Sequence, residues 1–163
     1  MNGETAPGTG SAAFVPSVAR FTTRPNDLDS LGHVNHAVVL EYLEAGRWDW
    51  FARNGLRRAG AVTPVVARAE VDYRREIFPG ELVIATQLLT DADELAYRVT
   101  FRQTITIRQR GTEVIAIEAR IDAAFIEMAT RKLCSFQEFL ETNKVAPASE
   151  SAFPAHAVFE AVP

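Results

Sequence analysis

The hydrophobic pattern of the chain changes period once. Over 35–54 there is no proline and one internal glycine, Gly46, and the apolar positions are Val38, Val39, Leu40, Tyr42, Leu43, Trp48, Trp50 and Phe51. That spacing predicts a helix of about five turns whose apolar residues spread over more than one stripe, so something must wrap it. Gly55 supplies a natural C-terminal stop. Beyond it the period falls to two. In 65–75, Val65, Ala67, Ala69, Val71 and Tyr73 alternate with Arg68, Glu70, Asp72 and Arg74. In 94–109, Leu95, Tyr97, Val99, Phe101, Ile105 and Ile107 alternate with Arg98, Thr100, Arg102, Thr104, Thr106 and Arg108. In 112–125, Ile115, Ile117, Ala119, Ile121, Ala123 and Phe125 oppose Glu118, Arg120 and Asp122. A further strand, 81–90, follows the Pro79-Gly80 turn, while 91–94 and Arg110-Gly111 are short enough for hairpin turns. Ser135 and Glu138 stand at capping-box spacing, which predicts a short helix over 136–143.

A strand at 14–23, one long helix and four antiparallel strands make an α+β domain, a curved five-stranded antiparallel sheet wrapped around one helix. The polar outer faces of the strands argue against helices on both sides of the sheet. Residues 1–13, rich in Gly, Ala, Ser and Thr, read as a flexible N-terminal segment, 14–144 as the domain, and 145–163 as a C-terminal tail. Phe153, Val158 and Phe159 in that tail are candidates for docking on a neighbouring surface.

Composition narrows the function. A chain of 163 residues, 47% hydrophobic, is enough for one sizeable core. The net charge of -4 argues against a nucleic-acid partner, which calls for a basic surface. The single cysteine, Cys134, cannot form an internal disulfide, and no Cys/His cluster has zinc spacing, so the expectation is a reducing cytoplasm and no metal or cofactor. No cationic region followed by an apolar run opens the chain, and no stretch approaches the roughly 18 apolar residues that span a bilayer, so no membrane partner is expected.

The candidate chemistry lies in RPNDLDSLGHVNHAVVLEYLEAGRW, residues 24–48. A carboxylate just ahead of a helix N-terminus sits among unpaired backbone N–H groups, whose partial positive charge also suits a developing oxyanion. Asp27 and Asp29 are both placed for this, and either can instead cap the Asp-Ser-Leu-Gly turn. Gly32 permits a positive φ and close approach of a substrate to its N–H. His33 is either a structural hydrogen-bonding residue or a polarising group. Asn35 suits a helix cap or a substrate contact. Glu44 and Arg47, one turn apart, read as a structural ion pair, and Trp48, Trp50 and Phe51 chiefly as core. A Gly-x-Ser-x-Gly elbow and a phosphate-binding glycine loop are both missing, which disfavours serine hydrolases of the α/β type and nucleotide enzymes.

This block resembles the 4-hydroxybenzoyl-CoA thioesterase-like branch of the hot-dog superfamily, with its Asp-x-Asp, its Gly, its His-Val-Asn and a helix carrying Tyr, Glu and Arg. Here those positions are Asp27, Asp29, Gly32, His33, Val34, Asn35, Tyr42, Glu44 and Arg47. The Asp-Leu-Asp…His-Val-Asn run is also similar to plant acyl-ACP thioesterases, although Leu31 stands where those carry an Asn. The resemblance implies thioester hydrolysis, with the second carboxylate, Asp29, as base or nucleophile; His33, able to bind or polarise the thioester, is the further catalytic candidate. It implies an acyl-CoA or acyl-carrier-protein substrate, with Gly32 and Asn35 as the candidate substrate contacts, and a homodimer or homotetramer with shared sites. The partner chain is then expected to supply the segment around Thr63, and Arg74 or Arg75 to meet the phosphates of the carrier. Arg53, Arg57 and Arg58 form a basic cluster at the helix end that an acidic carrier protein could meet. A non-catalytic acyl-thioester-binding domain and a hot-dog dehydratase are the alternatives. The dehydratase lacks its expected Asp, Asn-Pro and His pattern here.

Overall fold

The computed structural model describes residues 14–57, 60–89 and 96–145. The expected turn at 91–94, Arg58, the segment 1–13 and the tail aromatics fall outside them. Among the described residues the order is β1 (Ser17–Thr22), a 3-10 turn (Pro25–Asp27), α1 (His36–Arg53), β2 (Val62–Tyr73), β3 (Glu81–Leu88), β4 (Arg98–Gln109), β5 (Thr112–Glu127), β6 (Leu133–Cys134) and α2 (Phe136–Asn143). The strands form one antiparallel sheet in the order β1-β3-β4-β5-β2. The two-residue β6, absent from the expected five strands, pairs with Phe125 and Ile126 where β4 has ended. One long helix against a curved antiparallel sheet is the hot-dog arrangement.

Local chemistry sets the helix ends. The Asn35 side chain accepts the Ala37 N–H at the start of α1, and Gly55, with φ +67, turns the chain away after the Asn54 cap. At α2 the Ser135 hydroxyl and the Glu138 carboxylate form the expected reciprocal box. Gly46 explains how α1 lies so close to the sheet. A Cβ there would come within 2.6 Å of Ile84, so only glycine lets the helix settle over β3 and β4.

Trp50, Phe51, Phe101, Phe125, Phe136 and Phe139 pack edge-on and stacked between the helices and the sheet, all of them buried. Each such ring contributes roughly 1.5–3 kcal/mol by leaving water. Trp48 is only half-buried and sits at the rim against Phe51.

Two bulges break the expected alternation. In β2 the register shifts between Val66 and Arg68, so Val66 opposes the buried Ala123 and Ala69 the buried Ile121. Val66 therefore points inward and Val65 outward, the reverse of the simple period-two reading. In β5 the register shift against Ile105 and Thr106 leaves Ala116 as the extra residue, fully buried, and puts Ile115 at 42% exposure. Its carbonyl is used by the chain leaving β2, which donates the Arg74 N–H (2.8 Å) and the Arg75 N–H (3.1 Å) to Ala116 O. The Arg110-Gly111 turn has φ of 51° and 81°, the double positive φ of a tight hairpin.

The helix covers the sheet unevenly. It packs on β1, β3 and β4. The inner face of the edge strand β2 stays open, with Val66 53% and Tyr73 51% exposed.

Candidate active site

The loop between β1 and α1 holds the two aspartates in opposite surroundings. Asp27 is 2% exposed. Its Oδ2 accepts the Arg24 N–H at 2.6 Å and the Tyr42 hydroxyl at 2.5 Å, and its Oδ1 lies 3.0 Å from the Arg24 guanidinium. Its backbone carbonyl takes the Asn35 N–H, which anchors the start of α1. Burial works to raise the Asp27 pKa, but the Tyr42 hydroxyl, the Arg24 N–H and the Arg24 guanidinium together hold it below the ordinary aspartate value. Burial and the neighbouring carboxylate push the Tyr42 phenol well above its usual range.

Asp29 begins the tip of the same loop, which closes as a narrow hairpin through the Leu28–Val34 bridge and the Asp29 N–H to His33 carbonyl bond of 2.8 Å. Its Oδ1 accepts the Leu31 N–H at 2.8 Å and the His33 N–H at 3.2 Å. Those two donors, Leu31 first, lower its pKa and keep it ionised. Gly32 adopts φ +80, as the turn demands, and donates its N–H to the Asp29 carbonyl at 3.1 Å. That N–H, expected to meet substrate, is thus committed within the loop. The Asn35 amide oxygen is likewise engaged by the helix it caps.

Asp29 lines a cleft of about 320 Å³ together with His33, His36, Tyr73, Arg75 and Glu76. The loop is docked to the opposite wall by the Val34 N–H to Ile77 carbonyl bond of 2.8 Å. The His33 ring stands edge-on to Phe78, with Nε2 3.7 Å from the Glu76 carboxylate. Tyr73 donates its hydroxyl to the His36 carbonyl at 3.1 Å, tying β2 to the first turn of α1.

Asp29, His33, Arg74 and Arg75 therefore meet in one chain. Both arginines line the cleft of their own chain, and Arg74 is paired with Glu118 at 2.5 Å. Thr63 does not join them. It is the second residue of β2, paired with Ile126, at the far end of the strand from Tyr73. Arg47 turns inward, donating to Gln103 Oε1 at 2.8 Å, instead of pairing with Glu44. Glu76 is a wall residue that strand periodicity could not find, because the turn after β2 brings it to the loop, and Tyr73 and His36 join it from the end of β2 and the start of α1. Gln103 had a legible signal, as a polar residue in the apolar register of β4. No group of His, Cys, Asp and Glu able to hold a metal occurs among the described residues, and no described helix is long and apolar enough to cross a membrane.

Residues 23–143 match the family model of the thioesterase-like superfamily. The chain is similar to the long-chain acyl-CoA thioesterase FadM of Escherichia coli strain K12, 28% identical over 121 residues that make up 72% of this chain and 89% of that protein. It is also similar to the crystal structure of the probable thioesterase YbaW from Escherichia coli, at 27% identity and a TM-score of 0.59, covering 76% of this chain and 96% of that one. The DHNA-CoA thioesterase of Staphylococcus aureus shares the fold, with a TM-score of 0.66 at 18% identity over 77% of this chain and 84% of its own.

Proposed function

Because the chain belongs to the thioesterase-like superfamily, we propose that Asp29 is the catalytic carboxylate with which it hydrolyses an acyl-CoA thioester. The observation that carries this reading is the placement of Asp29: ionised, on the wall of the cleft, one loop ahead of the α1 N-terminus. Both loop N–H groups fall on its Oδ1, leaving Oδ2 for a water molecule or for the thioester carbon. Attack by either route needs the ionised form. The N–H groups of the first turn of α1, apart from that of Ala37, which Asn35 takes, are the oxyanion donors, with His36 on the cleft wall. His33 orients Asp29 through its N–H and faces the leaving sulfur side of the cleft with Glu76. Arg75 and Arg74 meet the carrier phosphates. FadM, named for long-chain acyl-CoA, supports CoA as the carrier.

The site is completed by a second copy of the chain. The edge strand β2 is 12 residues long and leaves apolar inner residues uncovered. Antiparallel pairing of two β2 strands about their middles would cover them and bring Thr63 of the partner subunit to the Tyr73 end, beside Asp29. Free-thiol release across acyl-CoA and acyl-carrier-protein panels tests the activity, and light scattering beside assays at falling enzyme concentration tests the pairing. The expected outcome is CoA thioester turnover by a dimer or larger, with specific activity falling below the dimer dissociation constant. A monomer of 18.0 kDa with full specific activity would remove Thr63 from the site while leaving Asp29 to its own variant.

A further inference from the structure

Asp27 and Arg47 are the charged residues among the buried side chains of the described chain, and they are matched differently. Asp27 has the Arg24 guanidinium. Arg47, 8% exposed, has a neutral amide. Gln103 is locked with its oxygen toward Arg47 because its Nε2 donates to the Leu43 carbonyl at 2.8 Å and to Thr86 Oγ1 at 2.9 Å. No described carboxylate stands within ion-pair distance of Arg47, and Glu44 acts on it only through space from the exposed side of α1. A guanidinium keeps its charge when buried, and a buried cation that faces only an amide is costly unless an anion comes to meet it.

The helix geometry says where that anion would arrive. Positions 36, 40, 43 and 47 share one flank of α1. The opposite flank carries Tyr42, whose ring packs on Phe21 of β1 at 5.9 Å. The His36 flank is the one turned toward β2, as the Tyr73 hydroxyl on its carbonyl shows. Gln103 pairs with Ala119, and Ala119 with Val71 of β2, so Arg47 stands over the sheet row next to that of Ile117 and Tyr73 in the cleft. Between them lie Tyr73, half exposed, and Val71, partly buried, on the inner face of β2, the face that the second copy of the chain would roof over. An acyl chain leaving the cleft past Tyr73 and toward Val71 would run in the direction of the guanidinium.

We propose that Arg47, oriented by Gln103, binds a carboxylate at the far end of the acyl chain, so that the preferred substrates are monothioesters of dicarboxylic acids. The proposal rests on the hydrolase reading for its thioester end. Arg47 lies about 16 Å of helix rise beyond His36 and its side chain leans back toward the helix start, which leaves about 10 Å from the thioester carbonyl, the span of roughly eight carbons. Shorter diacids fall short of it.

Binding and turnover separate the two ideas. Calorimetry compares S-octyl-CoA, which cannot be hydrolysed, with its ω-carboxylated counterpart, and thiol release compares octanoyl-CoA with octanedioyl mono-CoA. The expected result is about tenfold or greater preference for the carboxylated member in both assays, from charge-assisted hydrogen bonds to the guanidinium. Gln103→Glu places a carboxylate of the protein's own against Arg47, and the preference should fall to about one with the fold retained. Arg47→Gln should do the same. Equal or weaker binding of the carboxylated analogue by the wild type, or a preference that survives Gln103→Glu, overturns the proposal. A binding preference without turnover of either thioester leaves it standing and counts against the hydrolase reading instead.

Discussion

Asp27 and Asp29 stand on one short loop, two residues apart, yet the fold treats them as different chemical groups. Asp27 is sealed at the base of the loop by a guanidinium, a phenol and a backbone N–H. Its lone pairs are spent on holding the 3-10 turn and the start of α1 together. Asp29, at the tip, is held by backbone N–H groups on one oxygen only and faces a cleft. Both have lowered pKa values, from different causes. The lesson is that a perturbed carboxylate marks a site only where access accompanies the perturbation.

The sharpest way to break this contrast is to neutralise each aspartate in turn. Asp29→Asn should reduce kcat/KM by at least about a hundredfold with the melting temperature unchanged, because an amide is neither a useful base nor a nucleophile. An active Asp29→Asn enzyme beside a folded but dead Asp27→Asn enzyme would reverse the assignment. Asp27→Asn should instead act on stability, costing about 2–3 kcal/mol by leaving Arg24 without its counter-charge, with turnover per folded molecule nearly retained. Thermal unfolding beside active-site titration distinguishes the two outcomes.

Acid titration sharpens the comparison further. The folded-state pKa of Asp27 is depressed, so its contribution to stability is present above the unfolded value, near 4, and is lost as pH falls through the folded value. Stability measured from pH 5 downward should therefore drop more steeply in the wild type than in Asp27→Asn. The Asp29 carboxylate must be ionised to act and is likewise held low, so the acid limb of kcat/KM should lie below the ordinary aspartate value. An acid limb near pH 6 would implicate a group other than Asp29.

Tyr42→Phe is the smallest of these changes. It removes the hydroxyl on Asp27 Oδ2 while Arg24 remains, and should cost about 1–2 kcal/mol with turnover within twofold. A large loss of activity in that variant would mean that the buried corner and the cleft are coupled through α1.

Periodicity alone carried much of the architecture. The helix over 35–54, its Asn35 cap, the capping box at Ser135 and the succession of helix and strands along the chain all follow from spacing, because the core must collect apolar residues at the period of each element. The motif around Asp29 likewise lay open in the chain, being one contiguous segment. What periodicity could not carry were the bulges at Ala67 and Ala116, since an extra residue leaves composition unchanged while flipping every later side chain.

Only the tertiary structure decided which aspartate is sealed and which is open, for that depends on Tyr42, fifteen residues away along the chain, reaching back from α1. It also decided that Arg47 faces Gln103 rather than Glu44. Helical spacing offered Arg47 a neighbour one turn away, but the residue that meets it comes from β4, 56 positions distant. Local order is written in local sequence because hydrogen-bond and side-chain periods are short-ranged. The partners of a buried charge are chosen by packing between elements, and no spacing rule reaches across it.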